Sequence, residues 1–235
     1  MAIVPELYLR RLFGMPNKRG FDLPLKVLIF DFDGVIVESN DIKTRAFERV
    51  FSRFPEHCDA MMAFHYENIS VSRYVKFERL ISALVRDGDP ELTKDLAADF
   101  SCRVLAEMMT VPLVNGAEAL LTMVAGRLPI YLASVTPEPE LKHILTERGL
   151  AGWFNGVYGC PPWTKPNAIR DVLTKEPVSP EEVLLIGDSV GDQRAASETG
   201  VRFLGRHSGL EFDSPPPTAF ADLNEIAIYL KDSIA

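Results

Sequence analysis

The sequence predicts an α/β fold: a parallel, Rossmann-like sheet interrupted by an α-helical insertion. Three observations on the 235-residue chain carry this expectation. Val27-Leu28-Ile29-Phe30, Ile130-Tyr131-Leu132-Ala133 and Val183-Leu184-Leu185-Ile186 are continuous apolar runs rather than alternating ones, as expected of parallel strands covered on both faces. Segments with apolar residues at helical spacing lie between these runs. The interval from 39 to 110 shows helical periodicity only.

Taken in order, residues 1–20 read as an N-terminal extension, and the sheet unit is expected over 21–38 and 111–235. The insertion, 39–110, carries apolar stripes at Ile42, Ala46, Phe47, Val50, Phe51, then Tyr74, Phe77, Leu80, Ile81, Leu84, then Leu92, Leu96, Phe100, Val104, Leu105, Met108. At about 70 residues it is large enough for a small core of its own. The Gly88-Asp89-Pro90 turn separates two of its helices, and Pro112 marks the return to the sheet. Helices follow around Ala117–Val124, Leu141–Leu145 and Ala168–Leu173, and Val201-Arg202-Phe203-Leu204 reads as a further strand.

Composition removes several classes of function. With 47% hydrophobic and 25% charged residues the chain is a globular one, not disordered or fibrous. No apolar run approaches the ~18 to 20 residues of a membrane span. A net charge of −8 offers no general attraction to a phosphate backbone, so neither nucleic acid nor membrane is an expected partner. Cys58, Cys102 and Cys160 are an odd number without a C-x-x-C pair, which argues against a disulfide framework or a cysteine-rich zinc site. No secretory apolar segment follows Arg10-Arg11, and a cytoplasmic location is expected.

Chemistry gathers at the strand ends. Asp31-Phe32-Asp33-Gly34 leaves the carboxyl end of the first strand, where open parallel sheets bind ligands. A period of two puts Asp31 and Asp33 on one side if the strand continues, and Gly34 permits a sharp turn. Two such carboxylates call for a cation or a shared proton, and Mg²⁺ suits oxygen ligands of this kind; a solvated acidic loop is the other reading. The third strand ends similarly, in Gly187-Asp188-Ser189-Val190-Gly191-Asp192, where Asp188 and Asp192 read as further acidic site residues, the other reading being a helix cap at Asp188 or Ser189. Ser134, with Thr136 just after it, offers a hydroxyl for a phosphate oxygen or a helix N-cap. Lys165, just before Pro166, either neutralises a carboxylate and a phosphate together or is simply solvated.

In this order the four motifs closely resemble the haloacid dehalogenase superfamily of phosphohydrolases, whose signature is Asp-x-Asp-Gly, and the insertion resembles the helical cap of its phosphoglycolate phosphatase and β-phosphoglucomutase branch. The resemblance spans nearly all of the chain after residue 21. It implies an aspartyl-phosphate formed on Asp31 as nucleophile and acid–base work by Asp33. It also implies Mg²⁺ held by Asp31, the main-chain carbonyl of Asp33, and Asp188, with Asp192 and Gly34 in support and Ser134 and Lys165 binding the transferring phosphoryl group. The implied activity is Mg²⁺-dependent hydrolysis of a small phosphorylated metabolite by a monomer or small homo-oligomer. The alternatives are a sugar-phosphate mutase, although Lys43 stands where many of those have histidine, and a non-catalytic phosphate-binding regulator.

Substrate choice is expected in the insertion, at Arg73 and Lys76, three residues apart after Ser72 and able to grip an acidic substrate. The other reading makes them ordinary polar helix residues with Glu78 and Asp87 as partners. His65 and Trp163 are read as structural.

Overall fold

The computed structural model describes residues 24–85 and 89–234. The 1–20 extension, together with Asp87 and the Gly88 of the expected turn, lies outside the described residues.

Six parallel strands form one sheet: β1 (Val27–Phe30), β2 (Ile130–Ser134), β3 (Gly156–Gly159), β4 (Val183–Gly187), β5 (Arg202–Arg206) and β6 (Ala219–Phe220), in the order β3-β2-β1-β4-β5-β6. This is the expected α/β fold, and its switch point lies at β1. The chain leaves β1 for β2 and β3 on one side, then returns to add β4 to β6 on the other, so a crevice opens beyond the carboxyl end of β1. Register brings Phe30 opposite both Leu132 and Ile186, which aligns the three strand ends that carry the motifs.

Strand residues alternate between two packed layers, as a period of two requires. Leu28, Phe30, Ile130, Leu132, Leu184 and Ile186 face α5 (Ala117–Val124), α6 (Glu138–Glu147) and α9 (Leu223–Leu230). Val27, Ile29, Tyr131, Ala133, Val183 and Leu185 face α7 (Lys165–Lys175) and α8 (Val190–Thr199).

Two strands have no apolar run to announce them. In β3, Gly-Val-Tyr-Gly, a Cβ on Gly156 would lie 2.8 Å from the Tyr131 ring and one on Gly159 would lie 2.3 Å from the Glu138 backbone. Close packing there excludes the side chains that would have marked a strand. β6 is only two residues long.

Between β1 and β2 lie α1 (Asn40–Phe51), α2 (Cys58–Glu67), α3 (Arg73–Leu80) with a π-turn at Ile81–Val85, and α4 (Pro90–Met108). Phe47, Phe51, Phe77 and Phe100 cluster at their centre, with ring centroids 4.4 to 6.1 Å apart. Asp89 caps α4, accepting from the Leu92 N–H at 2.9 Å. α2 was not marked by an apolar stripe because it buries only Met61 and His65. On α3 the buried face is Arg73, Lys76, Phe77 and Leu80, while Tyr74 is exposed. The expected polar face of that helix therefore points inward.

Candidate active site

β1 stops at Phe30, and the chain turns at once. Phe32 O accepts from the Ile36 and Val37 N–H groups, and the Gly34 N–H donates to Val37 O at 2.8 Å. The strand does not continue, so Asp31 and Asp33 do not share a side. Gly34 has φ +70°, and a Cβ there would fall 1.9 Å from Asp188 Oδ2. Glycine is required twice over, by a left-handed backbone and by the neighbouring carboxylate. From the other side Arg206, at the end of β5, donates to Gly34 O at 3.1 Å and pairs with Glu38, fixing the turn.

The two aspartates enter different surroundings. Asp31, buried, accepts from the Phe32 N–H at 2.7 Å and meets Lys165 Nζ at 2.7 Å. Lys165 opens α7, where Thr164 caps the helix, and its ammonium also pairs with Asp192. Asp192 accepts from the Ser189 N–H at 3.2 Å and from Ser189 Oγ at 2.5 Å. Helix capping and site formation are thus the same set of contacts, not rival readings. Asp188 accepts from Asn40 Nδ2 at 2.7 Å. Carboxylate oxygens of Asp31, Asp188 and Asp192 lie within 4.8 Å of one another, all buried. Burial, the largest cause, and the neighbouring carboxylates push Asp31 well up despite Lys165, and burial with Asp192 pushes Asp188 up to about 6.

Asp33 turns away from that cluster. Its Oδ2 pairs with Lys43 and accepts from Thr136 Oγ1 at 3.1 Å and Ser134 Oγ at 3.4 Å, while Oδ1 accepts from Ser39 Oγ at 2.6 Å. Burial alone would raise its pKa, but Lys43 and the Ser39 and Thr136 hydroxyls outweigh burial and hold it below the ordinary carboxylate range. The Asp33 carboxylate is therefore not a member of the acidic cluster, and Asp192 supplies the third carboxylate instead. Ser134 lies at this second group, accepting from the Thr136 N–H at 3.0 Å; it does not cap α6, whose N-cap is Pro137.

Thr136, expected only as a hydroxyl beside Ser134, thus holds Asp33, and Lys43, Ser39 and Asn40 join the site without a motif of their own. The signal was present in part: α1 starts six residues after Gly34, so its first turn lies over the strand ends, and Ser39 and Lys43 are one helical turn apart.

A cavity of about 400 Å³ separates the strand ends from the helices, lined by Asp31, Asp33, Lys43, Lys165 and Asp188 below and by Phe47, His65, Ser70 and Lys76 above. Ser70 reaches across to α8, donating to Ser189 Oγ at 3.0 Å and accepting from the Gly191 N–H at 3.2 Å. A Cβ on Gly191 would stand 2.4 Å from the Ser70 Cβ, so the missing side chain is what admits this contact.

Arg73 and Lys76 both line the cavity, but neither pairs with Glu78. Arg73, 5% exposed, is clamped in two-pronged fashion by Glu140 of α6 at 2.7 and 3.0 Å and donates to Ser101 Oγ at 2.5 Å. Its charge ties α3 to the sheet layer, so a grip on substrate there would compete with Glu140. Lys76 donates to His65 Nδ1 at 3.0 Å and to Ile69 O at 3.3 Å.

Since an ammonium can only donate, His65 Nδ1 is the acceptor, and Nε2 carries the hydrogen toward Thr44 Oγ1 at 3.3 Å. Burial, then Lys76, pushes the imidazole from 6.5 down to about 3. Between these values the unfolded chain binds a proton that the folded chain refuses, so stability is lost as pH falls from 6.5 toward 3. His65→Gln is expected to remove about 1.4 kcal/mol per pH unit from that slope, read from urea midpoints across the window.

The family model for haloacid dehalogenase-like hydrolases matches residues 28–206. A phosphoglycolate phosphatase of Vibrio vulnificus is 24% identical over 221 residues, covering 90% of this chain and 93% of the relative. A haloacid dehalogenase-like hydrolase from Bacteroides fragilis superposes with a TM-score of 0.69 at 21% identity over 86% of this chain and 99% of its own. The hydrolase YfnB of Bacillus subtilis, solved bound to magnesium, does so at 0.65 and 17% identity over 88% and 99%. The family match runs from β1 to the end of β5 and takes in all four strand-end motifs, and on that extent the chain belongs to the haloacid dehalogenase-like hydrolases.

Proposed function

We propose that the chain is a Mg²⁺-dependent phosphatase that hydrolyses a small phosphomonoester through an aspartyl-phosphate on Asp31. The observation that carries this is the division of labour between two adjacent aspartates: one beside Lys165 in an acidic cluster, the other held apart with its own cation and three hydroxyls. Carboxyl groups given different partners are suited to different steps.

Asp31 attacks phosphorus; the negative charge of the bound phosphate opposes the hold of Lys43 on Asp33, which takes up a proton and gives it to the leaving alkoxide. The ionised form, with Lys43 as counter-ion, then draws a proton from the water that cleaves the acyl phosphate and regenerates Asp31. Lys165 and Ser134 bind the phosphoryl oxygens, and Asp192 orients Lys165.

Three buried carboxylates against one ammonium leave an excess of two negative charges, and an all-oxygen donor set of this kind fits Mg²⁺. Asp31, Asp188 and the main-chain carbonyl of Asp33 would hold it, and when bound it offsets the repulsion between the Asp31 carboxylate and the phosphate. Residues 39–110 act as a cap over the leaving group and exclude water. The relatives named phosphoglycolate phosphatase support the phosphatase reading. No described helix is long and apolar enough to cross a membrane, and the three cysteines are unpaired, in keeping with a reducing, cytoplasmic setting.

The test is phosphate release from a panel of small phosphomonoesters with Mg²⁺ titrated in and then chelated. Release that stops on chelation is expected. Activity indifferent to chelation, or phosphate moved to a second hydroxyl of the substrate without release, would overturn the proposal.

A further inference from the structure

Among the cations that line the cavity, one stands apart. Four cations line it: Lys43, Arg73, Lys76 and Lys165. Lys43 is paired with Asp33, Arg73 with Glu140, and Lys165 with Asp31 and Asp192. Lys76 has no carboxylate partner among the described residues, although it is the most deeply buried of the four, at 1% exposure. Its contacts are a neutral imidazole nitrogen, a main-chain carbonyl and the face of Phe47, with Nζ 4.8 Å from the ring centroid.

A desolvated ammonium is costly unless an anion completes it. Burial, then the nearby charge of Lys43, pushes Lys76 down to about 7, which reports the same deficit. No described residue of the helices supplies the missing charge, and the group lines the space where the leaving group would sit.

We infer that Lys76 is a specificity-determining residue that binds a carboxylate on the alcohol portion of the phosphomonoester. The inference rests on the phosphatase reading above. Stoichiometry selects the class: one ammonium is neutralised by one carboxylate, whereas a second phosphate dianion would leave an unmatched negative charge buried beside the Ile69 carbonyl. His65, an acceptor toward Lys76, holds the ammonium in place, and Thr44 holds His65. A cavity of about 400 Å³ has room for a compact substrate of this kind.

The test compares three esters of similar size, phosphoglycolate, ethyl phosphate and a short-chain diol bisphosphate, on the native chain, Lys76→Met and Lys76→Arg. The native chain is expected to favour phosphoglycolate over ethyl phosphate by about 100-fold in kcat/KM, the size of a charge-assisted contact in a dry site. Lys76→Met should collapse that ratio by at least about 30-fold, chiefly through KM, and Lys76→Arg should restore part of it. An equal loss on both esters in Lys76→Met would make the residue merely structural and overturn the inference, as would native preference for ethyl phosphate or for the bisphosphate.

Failure of the phosphatase reading is told apart by binding. If no ester releases phosphate, thermal shift of Asp31→Asn with phosphoglycolate decides the subsite alone. A Lys76-dependent rise in Tm supports it, and the absence of one overturns it.

Discussion

Asp31→Asn should abolish phosphate release, by on the order of 10⁴-fold or more in kcat, while leaving the chain at least as stable as the native one. The two halves of this result have one cause. Asp31 sits with Asp188 and Asp192 in a buried cluster that has a single ammonium, and its ionised form is disfavoured by burial and by its neighbours. An amide removes the nucleophile and the repulsion together, while Lys165 keeps Asp192 as its partner. Relief of 1 kcal/mol would raise Tm by about 2 to 4 °C in a chain of this size. Calorimetry beside a phosphate-release assay checks both. A variant that lost activity together with several degrees of stability would show that Asp31 serves folding, and the assignment of its carboxylate to chemistry would fail.

Lys43→Met should have the opposite signature. It removes the cation from Asp33 and leaves a buried carboxylate with hydroxyl partners only. Breaking one side of a buried ion pair costs about 3 to 5 kcal/mol, and kcat should fall by about 10²- to 10³-fold because Asp33 is no longer held in its working form. The double variant Asp33→Asn/Lys43→Met should regain most of the stability and none of the activity. That recovery, measured as a coupling energy in urea unfolding, separates a true pair from two independent losses. Additive destabilisation would show that the two side chains do not depend on each other.

Much of this site is legible in the sequence because parallel sheets place chemistry at predictable points. Asp31, Ser134 and Asp188 each follow directly from a recognisable apolar run, and the order of the runs fixes which ends meet. Lys165 and Asp192 are legible at the first turns of the following helices for the same reason. Lys43 and Thr136 are harder, because their contact with Asp33 depends on the chain turning at Phe32 instead of extending. The pairing of Arg73 is illegible for a different reason: its partner Glu140 is 67 residues away on another layer, and no local pattern links them. β3 was invisible because the tight approach of Tyr131 and Glu138 demands glycines, which read as a loop.

Ser39, Asn40 and Lys43 belong by chain order to the helical segment, yet their side chains hold Asp33 and Asp188, which belong to the sheet. The seam between the two parts therefore runs through α1, not in front of it. Anyone grafting a foreign helical segment onto this sheet, to redirect it toward another substrate, would have to splice after Lys43. A splice at residue 39 would carry away the ligands of two carboxylates along with the specificity it meant to exchange. For a lineage that diversifies by remodelling this segment, the first turn of α1 is inherited with the reaction, and the freedom to change begins one turn later.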